Sequence, residues 1–232
     1  MLPWGPLVGA LIVVGVAWGR AGLWRLGAAT FRWRVHPIWY VIAFLGPIML
    51  WGVPALIVTL TGSPPDTALL SDIVLWPVTL VLFGIVQGPL TEEPGWRGLA
   101  LPLMLKRFSP LIASLILGVI WFAWHLPLIL GDTSGQRPIV PYATFIVAQS
   151  VMLTAIYLGT KGSVFLVILF HSAVNATAAH LMPAFSEPAR DTIWLLFAAL
   201  NVIVAAVIAL WPTFRHPNLA QVRAAPYPEP SV

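Results

Sequence analysis

The sequence predicts an all-α fold, a polytopic transmembrane bundle of about seven helices with a broken or kinked third segment. Two observations predict this class. Of the 232 residues, 59% are hydrophobic and only 9% are charged, whereas soluble domains carry about 25% charged residues. Several apolar stretches also approach or exceed the roughly 18 residues that mark a membrane-spanning helix. We therefore expect a single transmembrane domain over residues 1–211.

The apolar segments follow one another with short polar connections. They cover residues 3–19, 37–60, 71–105, 110–130, 140–159, 162–181 and 191–211. A signal peptide begins with a positively charged region, and the first apolar segment has none before it. We therefore predict that this segment is a retained first helix. The region 212–232 contains five prolines, and this composition predicts a disordered cytoplasmic tail.

Basic residues lie mostly at the ends of the apolar segments, as in the 20–36 connector and the 106–109 and 160–161 turns. Because cytoplasmic loops of membrane proteins are enriched in Lys and Arg, this pattern predicts an outside N-terminus and a cytoplasmic C-terminus. The formal net charge is +4, but no basic patch supports a nucleic-acid partner, and membrane lipid is the expected surrounding. The lack of cysteine excludes a cysteine nucleophile and thiolate metal ligands.

The segment 71–105 is too long for one straight helix across a bilayer. Its 35 residues would extend about 52 Å, against roughly 30 Å of hydrocarbon. It also contains Gly88-Pro89, Pro94-Gly95 and Pro102. We expect a broken or strongly kinked helix, and broken helices in membranes usually line a cavity or a site.

Two adjacent carboxylates, Glu92 and Glu93, lie at this interruption and are followed by Arg97. A charge near the centre of a membrane helix costs about 2.5–3.5 kcal/mol, so such groups are retained chiefly where they react or pair. Consecutive helical residues diverge by about 100°, and Glu93 precedes Arg97 in the favourable i, i+4 order. We assign Glu93 and Arg97 to a supporting ion pair and Glu92 to the reactive position. The alternative is a cluster that merely ends a helix at the membrane interface.

Two further motifs carry histidine. Glu92 and His125 are equidistant from a turn at Phe108-Ser109, so in a regular antiparallel hairpin they face each other at similar depth. His171 and Asn175 are spaced i, i+4 and share one helix face. As polar groups in an apolar helix, they are expected to point inward. The alternative for these residues is a hydrogen bond that only packs helices together.

A carboxylate, two imidazoles and an amide that converge from three helices suit the hydrolysis of an amide bond. A buried carboxylate can act as a general base toward water, and a histidine can share that proton or donate it to the leaving amine. Asparagine and histidine can donate hydrogen bonds to the developing oxyanion. The candidate catalytic residues are therefore Glu92, His125, His171 and Asn175.

Together, the three motifs resemble the CPBP family of intramembrane proteases, which includes the CAAX prenyl-protein endopeptidases and bacteriocin-immunity (Abi) proteins. The family pattern is EExxxR, FxxxH and HxxxN. The corresponding segments here run from Glu92 to Arg97, from Trp121 to His125 and from His171 to Asn175. The resemblance covers residues 75–180, and one departure from it is Trp121, which stands where the pattern has phenylalanine.

The resemblance implies an intramembrane endopeptidase that hydrolyses a peptide bond near or within the membrane. Glu92 and His125 would activate water, and His171 and Asn175 would stabilise the oxyanion. The substrate would be a protein or peptide, lipidated in the CAAX branch, and the short chain resembles prokaryotic members in the cell membrane. Two mechanisms remain open. One uses zinc, with Glu92, His125 and His171 as candidate ligands, and the other is a metal-free glutamate mechanism. No His-Glu-x-x-His motif is present.

Two other functions remain as alternatives. A non-catalytic immunity or chaperone-like partner would use the same fold, with the polar cluster as a structural network. A small transporter or proton-coupled carrier would use the carboxylates and histidines as a relay. Against the transporter, the sequence shows no internal repeat, a feature that many transporter folds have.

Overall fold

The computed structural model describes residues 4–86, 88–131 and 137–215, and within these ranges the chain is helical without a β-strand. In chain order, the helices are α1 (Gly5–Thr30), α2 (Ile38–Leu60), α3 (Trp76–Val86), α4 (Pro89–Gly95), α5 (Leu101–Met104), α6 (Pro110–Leu130), α7 (Ile139–Gly159), α8 (Val164–Leu181), α9 (Glu187–Leu210) and α10 (Pro212–Arg215). A 3₁₀ segment, Thr67–Leu75, precedes α3, and a second, Met182–Ala184, follows α8. A π-helical turn, Trp96–Ala100, lies between α4 and α5.

Seven helical segments within the described residues are long and apolar enough to span a membrane. They are Gly5–Thr30, Ile38–Leu60, Thr67–Gly84, Pro110–Leu130, Ile139–Gly159, Val164–Ala184 and Glu187–Leu210. Large apolar side chains on their outer faces are exposed, among them Val16, Val78 and Val119. Extended apolar exposure of this kind is expected where lipid surrounds the bundle. The predicted class, an all-α multi-pass membrane bundle, is confirmed.

The first helix is longer than the sequence predicted. The predicted 20–36 connector is wrong in its first part, because α1 continues to Thr30 beyond a break at Gly19, whose φ is 58°. The continuation is helical because Leu26 and Ala29 repeat at helical spacing and are buried, whereas the arginines of this stretch are exposed. Basic residues alone do not indicate a connector, because the long side chain of an arginine on an apolar helix can extend until its charged end reaches water.

The third predicted segment is broken around Gly88, as expected. Helix α3 ends at Val86 and α4 begins at Pro89. Gly88 has a φ of 125°, a region that glycine tolerates and other residues rarely adopt. A Cβ at this position would also lie only 2.8 Å from Oε1 of Glu92. The break therefore begins a new helix immediately before the carboxylate cluster, and the π-turn that follows adds a second irregularity.

Glycine contacts and aromatic rings join the helices. Gly118 of α6 packs so closely on α7 that a Cβ would lie 2.9 Å from Cα of Val147. In the core, Trp51 of α2 stacks on Phe197 of α9 with ring centroids 3.6 Å apart. The Trp51 indole N–H also donates to the backbone oxygen of Val174 at 3.1 Å. These contacts hold α2, α8 and α9 together beside the α6–α7 pair.

The predicted C-terminal tail begins with the short helix α10. Its Phe214 is buried against Ala148 and Val151 of α7 and Ala205 of α9. Residues 216–232 lie outside the described part of the chain. The domain boundary at residue 211 and the disorder of the remaining tail therefore stay predictions.

We predict that Gly118→Ala destabilises the protein, because the added methyl group meets the α7 backbone and forces α6 and α7 apart. Overpacking of this kind costs about 1–3 kcal/mol. The matched control is Gly52→Ala inside α2, where a Cβ would meet nothing within 4 Å. The unfolding temperature in detergent micelles measures both variants, and an unchanged value for Gly118→Ala would contradict the close approach of α6 and α7.

Candidate active site

Helix α4 carries Glu92 in its first turn. The backbone N–H of Glu92 donates to the Gly88 carbonyl at 2.6 Å, and the Trp121 indole Nε1–H donates to Oε2 of Glu92 at 2.8 Å. Within the described residues, no other side chain donates to this carboxylate. Only 4% of Glu92 is exposed. The carboxylate is therefore buried and oriented through Oε2, and among the described side chains none donates to Oε1.

The Trp121 ring is the centre of the site. The Arg97 guanidinium carbon lies 4.5 Å from the ring centroid, in cation–π geometry. The imidazole of His171 packs edge-on at 5.1 Å, and that of His125 does so at 5.7 Å. One indole thus contacts groups from all three sequence motifs. A phenylalanine at this position could pack in the same way but could not donate a hydrogen bond to Glu92.

The Glu93 side chain points away from Glu92 and accepts hydrogen bonds from two side chains, Arg97 and His171. Arg97 Nη1 donates to both Glu93 oxygens at 3.0 Å, and Arg97 Nη2 donates to Ser150 Oγ at 3.2 Å. His171 Nδ1–H donates to Oε1 of Glu93 at 2.9 Å. Glu93 and Arg97 are both completely buried. Removing either residue would therefore leave the other as an uncompensated buried charge. The Glu93–Arg97 contact expected from the spacing is present, and His171 joins it.

Both motif histidines are anchored through Nδ1. The His125 Nδ1 lies 2.8 Å from the Trp121 backbone carbonyl, and the His171 Nδ1 lies 2.9 Å from the Glu93 carboxylate. A carbonyl and a carboxylate can only accept, so Nδ1 carries the hydrogen in each ring. In a neutral imidazole this leaves Nε2 with a lone pair. Each histidine is therefore held in position through Nδ1.

The hairpin argument placed Glu92 opposite His125, and the structure pairs Glu92 with Trp121, one helical turn nearer the connection. The irregular arm contributes to this difference, because the π-turn Trp96–Ala100 contains more residues per turn than an α-helix and so advances less per residue. His125 nevertheless adjoins Trp121 and lies within electrostatic range of Glu92. Glu92, His125 and His171 thus all surround one indole ring.

Asn175 is not joined to these residues by a hydrogen bond. It is half-buried on α8, one turn beyond His171. Within the described part of the chain, its side chain forms no hydrogen bond. It shares the helix face of His171, as its spacing requires, and its role as an oxyanion donor stays a prediction.

Three residues beside the site were not predicted from the sequence. The Tyr142 ring lies 5.9 Å from that of His125, Arg137 interacts electrostatically with both, and Ser150 holds Arg97. All belong to α7 or to the residues just before it. A hydroxyl in an apolar helix usually bonds to its own backbone, so the sequence carried no specific indication of the contacts of Tyr142 and Ser150.

The candidate metal ligands were Glu92, His125 and His171, and a catalytic zinc site uses about three protein ligands. Among the described residues, no three His, Asp or Glu side chains converge in a way that could hold a metal ion. The arrangement of these side chains therefore does not fit a three-ligand zinc centre.

Comparison with known proteins gives two matches. A family model described as "Type II CAAX prenyl endopeptidase Rce1-like" matches residues 74–177, which contain all three motifs. The chain is also 29% identical over 136 residues to a "CAAX prenyl protease 2" of Methanococcus maripaludis, covering 55% of this chain and 48% of that relative. The chain thus spans about half the length of the curated relative that it matches. Over the region that holds the three motifs, the chain is thus similar to CAAX prenyl endopeptidases.

Proposed function

We propose that the chain is an intramembrane, CAAX-protease-like endopeptidase in which Glu92 is the general base. The observation that carries this proposal is the difference between two adjacent carboxylates. Glu93 is fully engaged by Arg97 and His171, whereas Glu92 accepts one hydrogen bond from the described side chains, at Oε2, and none at Oε1. A buried carboxylate with an available oxygen is suited to taking a proton from water.

In the proposed reaction, Oε1 of Glu92 accepts a proton from water while the water oxygen bonds to the peptide carbonyl carbon. The Trp121 hydrogen bond keeps the carboxylate oriented during this transfer. The proton then passes to the peptide nitrogen, either directly or through Nε2 of His125, and the C–N bond breaks. The products are a carboxyl group and a free amine. Proton transfer by a positioned side chain contributes about 10²- to 10⁴-fold to such rates.

His171 and Asn175 are assigned to the developing oxyanion. The Glu93 hydrogen bond fixes the His171 ring, so that Nε2 in its protonated form is an oriented donor. The Asn175 amide has no hydrogen bond to the described residues and lies one turn away on the same helix. Donors that are oriented before the reaction stabilise the charge without reorganising. This assignment gives each residue of the HxxxN motif the same electrostatic role.

A prenylated peptide with a C-terminal CAAX sequence is the substrate class that we propose to test first. The matched family model and the archaeal relative are both named for CAAX prenyl proteins. A prenyl chain gains about 0.8 kcal/mol per CH₂ buried in the bilayer, which brings the attached peptide to a membrane-embedded site. We place the chain in a prokaryotic cell membrane, as the resemblance implies, and the basic connections support an outside N-terminus and a cytoplasmic C-terminus.

We predict that Glu92→Gln reduces cleavage of a farnesylated CAAX peptide by about 10²-fold or more, because an amide cannot accept the proton from water. Product formation by the detergent-purified protein is followed by mass spectrometry. The matched control is Glu187→Gln on α9, since that carboxylate side chain is 84% exposed. The control should cleave at the wild-type rate. Cleavage by Glu92→Gln at the rate of this control would remove Glu92 from the mechanism.

We predict that Trp121→Phe lowers kcat/KM by about tenfold to a hundredfold. The substitution keeps an aromatic ring but removes the hydrogen bond to Glu92, and hydrogen bonds to charged groups contribute about 1.5–3 kcal/mol. The matched control is Trp124→Phe on the same helix, since the Trp124 indole N–H is buried without a partner in the described residues. Equal kcat/KM values for the two variants would show that the indole N–H does not position Glu92.

A further inference from the structure

A cavity of about 730 Å³ opens at one end of the bundle, between the α1–α2 connection and the α7–α8 turn. We name it the basic cavity. Its lining includes Arg32, Arg34, Lys161, Trp33, Trp39 and Tyr40. It lies at the N-terminal end of α8, two turns before His171, and is separate from the residues around Trp121. The catalytic proposal makes no use of this cavity.

The lining is cationic and contains no carboxylate. Arg32, Arg34 and Lys161 form no ion pair with any carboxylate among the described residues. Helix α2 also begins beside the cavity, at Ile38. The N-terminus of a helix carries a partial positive charge. Three cationic side chains therefore line one space beside the start of α2, which favours an anion.

The cavity wall is built by specific contacts between its two connections. Arg32 Nη1 donates to the Lys161 carbonyl at 3.3 Å, and the Ser163 hydroxyl donates to the Arg32 carbonyl at 2.6 Å. Lys161 has a φ of 55°, a left-handed conformation that is uncommon for a residue other than glycine and costs free energy. The fold thus maintains a strained backbone at a position that presents a cation to the cavity.

The cavity lies where the membrane-spanning helices end. Helix α7 ends at Gly159, directly before the cavity turn, and α2 begins directly after the first connection. Trp33, Trp39 and Tyr40 are the residue types that concentrate at membrane–water interfaces. The adjoining outer face of α2 exposes apolar side chains such as Val41 and Leu45, a surface along which acyl chains can pack.

We propose that the basic cavity binds the phosphate of an anionic phospholipid headgroup. Arg34 and Lys161 contact the phosphate, whereas Arg32 mainly holds the wall through its bond to the Lys161 carbonyl. The acyl chains follow the exposed apolar face of α2 into the bilayer. Basic pockets at the ends of transmembrane helices are typical sites for anionic headgroups. The interfacial position favours a lipid over a soluble phosphate ester, because the bilayer presents the headgroup at this depth.

The test is native mass spectrometry of the detergent-purified protein titrated with phosphatidylglycerol, phosphatidylcholine or sn-glycerol 3-phosphate. The variants are Arg34→Gln and Lys161→Gln, which leave the Arg32 hydrogen bonds in place. The matched control is Arg107→Gln, an exposed cation on the turn before α6 and outside the cavity lining. This turn lies at the same end of the bundle, because α6 and α7 run antiparallel: Gly118 packs on Val147, and His125, later on α6, packs on Tyr142, earlier on α7.

We predict that the wild type prefers phosphatidylglycerol over phosphatidylcholine. Each cavity variant should weaken phosphatidylglycerol binding by about fivefold, as expected for one lost charge contact near a membrane surface, while Arg107→Gln leaves it unchanged. Equal binding of both lipids, or an equal loss in Arg107→Gln, would overturn the site. Binding of sn-glycerol 3-phosphate as tight as that of phosphatidylglycerol would overturn the lipid assignment. Unchanged unfolding temperatures of the lipid-free variants verify that the fold is intact.

Discussion

Glu93 and Arg97 form a completely buried ion pair inside a bundle that is otherwise apolar, and the surrounding architecture depends on this pair. Charges at such depth persist only with partners. The chain supplies these partners from three directions: Arg97 comes from the same helical arm, His171 from α8 and Ser150 from α7. The irregular segment after Gly88 is thereby tied to two of the long helices. A continuous third helix would be held by its own backbone hydrogen bonds, whereas a broken one needs these side-chain contacts to fix its second part.

The position of Glu92 follows from the fixation of its neighbour. Because consecutive helical residues diverge by about 100°, holding Glu93 toward α8 directs Glu92 elsewhere, and it meets the Trp121 indole of α6. The same ring packs against Arg97 and His171, so the ion pair and the available carboxylate share one aromatic neighbour. In the proposed mechanism, structural stability and reactive geometry are thus connected through adjacent residues, Glu93 serving the first and Glu92 the second.

The sequence predicted the elements that depend on local periodicity. The apolar run 110–130 coincides with α6, and the i, i+4 spacing of Glu93 and Arg97 correctly indicated their contact. The sequence-based prediction was wrong at the end of α1. The exposed arginines after Gly19 suggested a polar connector, whereas the helix continues there. The pairing of Glu92 with Trp121 also escaped prediction. Contacts between helices depend on rotation and rise, and the π-turn changes both without a clear mark in the sequence.

The proposed separation of the two glutamates into a structural and a reactive residue is tested most directly by the thermal unfolding of Glu93→Gln beside Glu92→Gln in the same detergent. Glu93→Gln leaves the buried Arg97 charge uncompensated, so it should lose about 3–5 kcal/mol of stability and unfold at a much lower temperature. Glu92→Gln should unfold near the wild-type temperature, because an amide oxygen can still accept the Trp121 hydrogen bond. Equal losses in the two variants, or a larger loss in Glu92→Gln, would contradict this separation.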